Sequence, residues 1–420
     1  MKFAKLYDEM LKSEEIPEDW IGSRIQYKSL KKCINRVVKE LESACLEKDL
    51  IEVLLEGDHR LADYVLESDS KIITPKLIIK VPHNKQGLPK SETSSRLWEF
   101  VNNRDYLKDD ELFKVVEVKE EDDATCLVFH FHEDSSFFRE LSLELEGLNN
   151  FKEAQKRYLV DQVDMISKSV SESTSFIKRR SDLYTWRELF KLYIDSEIFF
   201  KSSTNTAGER SVQQAKANLA AFWKHVNDRK FHKAFHQKGS KSAFKSFIGL
   251  NERLLKVSQF QYLNKMAMTK ILKKFDKQTS LHTKMIFPKL LAHNTFIEES
   301  FAQQLCYKIS TNLLSIIPQL DDYTCPICCS VAFKPIKLDC GHIFCVRCLV
   351  KLQRSGEDRC PLCRGEVVLN ADNSNLDLEH MQYLQKYFPK EVKIKQNETE
   401  REIAKERFEA VYGEKNCIIM

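Results

Sequence analysis

Four short groups of metal-binding side chains follow one another near the C-terminal end: Cys325-Pro-Ile-Cys328, Cys340-Gly-His342, Cys345-Val-Arg-Cys348 and Cys360-Pro-Leu-Cys363. Eleven residues separate Cys328 from Cys340, and eleven separate Cys348 from Cys360. Cysteines with two residues between them can clamp two corners of a zinc tetrahedron, because thiolates at that spacing converge on one ion. Eight ligands make two sites with no open position, so the metals hold the fold and do not activate water. Without them, so short a segment buries too little apolar surface to fold. Eight of the thirteen cysteines fall in this stretch, while Cys33, Cys45, Cys126, Cys306 and Cys417 are scattered. Such clustering suits local zinc sites, whereas a disulfide framework would be distributed. Cys329 is read as a spare thiol beside the first site.

A second chemistry is electrostatic. Lys270, Lys273, Lys274 and Lys277 fall at offsets of three and four, so they line one helix face. Like charges so placed repel, and a helix tolerates them best when an anion bridges them. Tyr27 and Lys31 sit one turn apart on another face. Residues 201–320 carry 20 Lys and Arg against 6 Asp and Glu, a net of +14. Residues 52–136 carry 11 against 19, a net of −8, with an acidic run at Glu120–Asp123. So lopsided a basic segment calls for an anionic partner: nucleic acid, a membrane surface or a small polyphosphate. Aromatic interleaving for base stacking is not evident, so nucleic acid is not expected. His130 and His132 share one face of a predicted strand, but no third ligand accompanies them and no metal is expected there.

The last four residues, Cys417-Ile418-Ile419-Met420, have the form of a farnesyl acceptor: a thiol, two aliphatic residues and a terminal Met. One isoprenoid anchors weakly, so a second signal is needed, which the basic face would supply. The opening MKFAKLYDEM has no apolar signal core, and no run of about eighteen apolar residues offers a membrane span. The expected location is cytoplasmic, with membrane association through the C-terminal prenyl group.

The elements that must position these groups are mainly helical. Leu30, Ile34, Val37, Leu41 and Cys45 recur at helical spacing within 1–51. Residues 52–136 carry Pro75, Pro82, Gly87 and Pro89 and read as an acidic insertion, with strands at Lys114–Lys119 and Thr125–His132. From Phe138 a long helical pattern resumes, and no proline occurs between Pro89 and Pro288. Residues 201–211 read as a loop; helices are expected over 212–235, 242–277, 296–317 and Leu376–Phe388, with 390–409 a solvated helix or tail.

In spacing and order the cysteine cluster resembles the RING finger family. In that family the ligands interleave, which implies Cys325, Cys328, Cys345 and Cys348 on one zinc and Cys340, His342, Cys360 and Cys363 on the other. The resemblance further implies a shallow groove for a ubiquitin-conjugating enzyme, built from Ile327, Leu352 and Pro361. It makes Arg364, just past the last ligand, a cation that hydrogen-bonds both that enzyme and its ubiquitin. Catalysis would then be positioning, with no covalent ubiquitin on this chain. A RING that only mediates assembly, in a non-catalytic phosphate-signalling scaffold, is the other reading.

The N-terminal part resembles the SPX domain family. The matching residues are MKFAKLYDEM, Trp20, Ile25 through Lys32, Phe137-Phe138-Arg-Glu-Leu141 through Asn149-Asn150-Phe151, and Tyr262 through Lys277. The resemblance implies a phosphate-binding surface for inositol polyphosphates, pyrophosphates above all. Tyr27, Lys31 and Lys274 would grip one phosphate, and Lys270, Lys273 and Lys277 would hold the others. The expected layout is an SPX-like helical domain over 1–310 with its insertion at about 52–136, a linker at 311–324, a cross-brace zinc RING at 325–363, and a helix and tail over 364–420. SPX followed by RING resembles a group of fungal and plant ubiquitin ligases linked to phosphate homeostasis, which would make phosphate transporters plausible substrates.

Overall fold

The computed structural model describes residues 3–44, 46–56, 61–69, 72–82, 95, 98, 115–120, 124–175, 181–201, 208–283 and 300–412. Two compact units divide the chain. The first takes 1–162, 199–216 and 249–307, and the second takes 163–198, 217–248 and 308–420. Among the described residues no helix is long and apolar enough to cross a membrane.

The first unit opens with α1 (Phe3–Ser13), α2 (Glu18–Ile21), α3 (Tyr27–Ser43) and α4 (Lys48–Glu56). Leu30, Cys33, Ile34, Val37 and Leu41 are buried along one face of α3, as their spacing requires. Cys45, expected on that face, lies outside the described residues. Four strands follow: β1 (Ala62–Asp69), β2 (Ile72–Pro82), β3 (Val115–Glu120) and β4 (Ala124–Phe129). They form an antiparallel sheet in the order β1-β2-β4-β3. Ala62 pairs with Ile79 and Leu77 with Phe129, so Ala62, Tyr64 and Leu66 bury on the same period-two pattern as Leu77, Ile79 and Val81. The acidic insertion therefore holds a sheet, of which the sequence pattern reveals β3 and β4. Pro75 and Pro82 disguise β2, because proline reads as a strand breaker, yet both pair within the ladder.

Helix α5 (His132–Ser173) begins ahead of the predicted Phe138 because its first amides find a distant cap. The Glu40 carboxylate accepts from His132 N at 2.8 Å and from Glu133 N at 2.7 Å. That start ends β4 at Phe129, so His130 and His132 do not share a strand face. Helix α9 (Lys238–Thr279) packs against α5 in this unit, with Phe137 and Phe275 stacked 4.7 Å apart. Trp20 and Phe260 meet the Phe151 ring at 5.0 and 4.9 Å, which locks α2 between the two long helices.

The second unit contains α6 (Leu183–Asp195), α7 (Val212–Asp228) for its later part, and α8 (Phe231–Ala234). The helical pattern predicted over 212–235 breaks at Lys230, whose backbone is left-handed at φ 53°. Helix α10 (Phe301–Asn312) leads into the stretch expected as a linker, but Leu313 and Ile317 there are fully buried. Then come β5 (Pro335–Lys337), β6 (Ile343–Cys345), α11 (Val346–Arg354), α12 (Leu378–Tyr387) and α13 (Pro389–Tyr412). Arg187 of α6 gathers these pieces. Its guanidinium donates to Pro318 O at 3.1 Å and to Tyr387 O at 2.5 Å, and lies 4.2 Å from the centre of the Phe388 ring.

One buried carboxylate ties sheet to helix. Tyr64 Oη donates to Asp134 Oδ2 at 2.7 Å, while Asp134 Oδ1 has no hydrogen-bond partner. Burial pushes the Asp134 carboxyl up to about 7, against the Tyr64 hydrogen bond that favours ionisation. A carboxyl with a raised folded value stabilises fully below about pH 4 and loses that contribution as pH climbs through about 7, on the order of 4 kcal/mol. Thermal melts between pH 5 and 8 should therefore fall for the parent and stay flatter for Asp134→Asn. Parallel curves for the two proteins would refute the assignment.

Candidate functional site

Two groups of ligand atoms converge in the second unit. Cys325, Cys328, Cys345 and Cys348 form one and Cys340, His342, Cys360 and Cys363 the other, each with its ligand atoms within 4.8 Å of one another. The chain reaches this cross-brace through the β5–β6 hairpin, which delivers Cys345 opposite Pro335, and through α11, whose first turn carries Cys348. Val331, Ile336, Leu338, Phe344, Leu349 and Val368 fill the small core between the two groups' loops.

The distances suit zinc. Bonds of about 2.3 Å to sulfur and about 2.0–2.1 Å to nitrogen at a tetrahedral angle separate two sulfurs by about 3.8 Å and a sulfur from a nitrogen by about 3.6 Å. Cys328 Sγ and Cys345 Sγ are 3.8 Å apart. His342 Nδ1 stands 3.4 Å from Cys340 Sγ and 3.6 Å from Cys360 Sγ. The crowded sulfurs share their protons unevenly: the Cys345 thiol is pushed up to about 12, first by its hydrogen bond to Cys325, which is pushed down by the same bond. Four thiolates can share such a space only around a cation. The two four-ligand groups thus fit two structural zinc ions.

The Cys-Pro-x-Cys loops are built alike. Cys329 N donates to Cys325 O and Arg364 N to Cys360 O, both at 2.8 Å. Cys329 and Arg364 follow the second cysteine of their loops, and both adopt left-handed backbone, at φ 52° and 64°. Cys329 belongs to neither ligand group. Ile327 and Leu362 occupy matching positions and are 40% and 52% exposed. The sequence reading named Pro361 and passed over Leu362, although the repeated motif pointed to it. Pro361 and Arg364 are exposed, and Leu352 of α11 is half-buried against the RING core.

The first unit holds a basic pocket of about 500 Å³, lined by Phe3, Ala4, Tyr27, Lys28, Lys31, Lys32, Asn35 and Lys274. No acidic side chain is among these. Its frame depends on Asn264 of α9. Tyr7 Oη and Ile25 N both donate to Asn264 Oδ1 at 2.8 Å, and Asn264 Nδ2 donates to Phe260 O at 2.8 Å. This fixes α1 and the start of α3 against α9, and Phe3 packs 4.8 Å from Tyr27. Lys28 is paired with Asp8 at 2.8 Å. Burial, then the charges of Lys31 and Lys277, hold the Lys274 ammonium below its ordinary value. Burial raises the Tyr27 phenol, keeping its proton available for donation.

Tyr27, Lys31 and Lys274, which the SPX resemblance groups on one phosphate, line one pocket. Lys277 acts on Lys274 through its charge from an exposed position, and Lys270 and Lys273 are exposed and do not line the cavity. Lys28, Lys32 and Asn35 were missed. They share the face of α3 with Lys31 at helical offsets, so the signal was present. His130 and His132 belong to no metal-binding group among the described residues. Cys417 lies outside the described residues.

Known proteins match along the same lines. The family model for the SPX domain matches residues 1–291, and that for a C3HC4-type RING zinc finger matches 325–363. A Candida albicans protein named transcriptional regulator of yeast form adherence 3 is 37% identical over the whole of both chains. An uncharacterized RING finger protein of Schizosaccharomyces pombe is 31% identical, again over the whole of both. The human E3 ubiquitin-protein ligase TRIM31 is 36% identical over 63 residues, covering 14% of this chain and 15% of its own. No solved structure is a significant match.

Elemental analysis of the full chain should find two zinc ions per molecule. Cys345→Ala removes a ligand and leaves its three partners without a closed shell, so it should lose the first ion and the local fold. Full zinc content in that variant would contradict the site.

Proposed function

The chain belongs to the SPX domain family and carries a C3HC4-type RING, and from that premise we propose that it is a ubiquitin ligase governed by an inositol polyphosphate or pyrophosphate. The observation that carries the ligase reading is the surface of the zinc loops. Two closed metal sites offer no reactive position, so their output must be a protein contact. Ile327 and Arg364 stand exposed on loops fixed by backbone hydrogen bonds to Cys325 and Cys360. An exposed apolar anchor on one zinc loop and an exposed five-donor guanidinium on the other suit recruitment of a charged conjugating enzyme, with Arg364 holding the enzyme and its ubiquitin in an attack-ready pose. Ile327, Leu352 and Pro361 would form the contact, and the substrate protein takes the ubiquitin directly.

The basic pocket supports the governing ligand. Four lysines around one cavity, without a lining carboxylate, suit a compact polyanion with several phosphates. Lys28 is tied to Asp8, so Lys31, Lys32 and Lys274 carry the attraction, with Tyr27 donating its hydroxyl and Lys270, Lys273 and Lys277 extending the field along α9.

In a discharge assay with a panel of ubiquitin-loaded conjugating enzymes, Ile327→Ala or Arg364→Ala should keep both zinc ions and lose at least about tenfold in rate. Full activity in both variants would favour the scaffold reading. Calorimetry on the full chain should find an inositol pyrophosphate bound far more tightly than orthophosphate, with affinity falling steeply in salt. An anion that restores the lowered Lys274 value draws a proton in, so the heat should depend on buffer and do so more at alkaline pH. Unchanged affinity in Lys31→Ala combined with Lys274→Ala would remove the pocket from the reading.

A further inference from the structure

Helix α13 is not solvated on all sides, contrary to what its charged sequence suggests. Val392, Lys395, Thr399, Glu402 and Glu406 recur at steps of three and four, and this stripe faces the RING. Val392 packs on the RING core, Thr399 is 7% exposed and the Lys395 side chain 12%. Farther along, the stripe meets a basic ridge on α11 made by Arg347, Lys351 and Arg354. Glu402 lies 2.8 Å from Lys351 Nζ and 3.6 Å from Arg347 Nε. Glu406 pairs with Arg347 and stands 3.3 Å from Arg354 Nη1. The opposite face of α13, with Ile394, Lys405 and Phe408, is exposed.

This seam bears on recruitment because of what its partners carry. Helix α11 presents Leu352 and supplies Cys348, and the first zinc loop presents Ile327. Arg347 is nearly buried, so losing its carboxylates would leave a charge out of water without a partner.

We propose that Glu402 and Glu406 are positioning residues for ubiquitin transfer: through Arg347, Lys351 and Arg354 they brace α11, and so hold its Leu352 in place at the conjugating-enzyme contact. This rests on the ligase reading. The seam is mostly ionic, so it is a brace that salt weakens, unlike the zinc sites.

The test compares the full-length parent, Glu402→Gln with Glu406→Gln, and a control that removes the outward pair, Lys405→Ala with Glu409→Ala. Zinc content, calorimetric binding and discharge are measured with the same conjugating-enzyme panel. The brace predicts unchanged zinc and a roughly tenfold rise in the conjugating-enzyme concentration needed for half-maximal effect, with the maximal rate little altered. The control should match the parent. Reversing one pair, Lys351→Glu with Glu402→Lys, should recover part of what Glu402→Lys alone loses. Parental binding in the double Gln variant, or an equal loss in the control, overturns the proposal. A parent that binds the enzyme but never speeds discharge sinks the ligase reading instead, and the binding curves still decide the brace. No binding by the parent overturns both.

Discussion

Like charges crowded into a small space need a counter-charge, and each functional part of this chain is organised around that need. In the RING, four sulfur ligands converge to within 4.8 Å of one another, and thiolates so crowded need a cation among them. In the first unit, Lys31, Lys32 and Lys274 share a cavity that has no acidic lining, and burial, then the charges of Lys31 and Lys277, hold the Lys274 ammonium below its ordinary value. On α11, Arg347, Lys351 and Arg354 form a third crowd, which Glu402 and Glu406 answer from within the chain. The metal, the proposed polyphosphate and the acidic stripe of α13 answer one electrostatic problem in three ways.

Crowding of this kind is stable only on a stiff frame, and the two units supply one each. Asn264 spends its carbonyl on Tyr7 and Ile25 and its amide on Phe260, so the pocket's walls on α1, α3 and α9 share one buried anchor. The aromatic cluster of Trp20, Phe151 and Phe260 holds α2 and α5 against the same stretch of α9. In the second unit Arg187 has the corresponding part. It satisfies the carbonyls of Pro318 and Tyr387 on either side of the RING sequence and covers the Phe388 ring. Tyr184 adds a hydrogen bond to Glu391 at 2.7 Å, so α13 is fixed at its first turn before it runs along α11.

The same frame explains why apolar side chains can stand on the RING surface. Its core is small, and much of its cohesion comes from metal bonds and backbone hydrogen bonds within the loops. Ile327 and Leu362 can therefore remain exposed without a stability cost that the core would have to offset, and they are free for recognition.

Some of this was fixed by residues close in sequence. Ligand identity follows from the spacing between Cys325 and Cys363, because a chelating loop is a local object and metal geometry admits few spacings; which pairs share an ion was implied only by the RING resemblance, and tertiary packing brings those groups together. The lysine face of α9 and the buried face of α3 follow from helical period alone. Other features depended on contacts between residues far apart. Glu40 caps α5 from 92 positions away and moves its start to His132, which ends β4 and separates the two histidines. Pro75 and Pro82 obscured β2 because only its partner strands reveal where the ladder passes. Lys28, Lys32 and Asn35 became pocket residues when Asn264 joined segments 239 positions apart. The charged helix α13 looked solvated because its acidic stripe pairs with a ridge some 51 positions away, on α11. Local period sets which face of an element is special; only tertiary packing decides what that face meets.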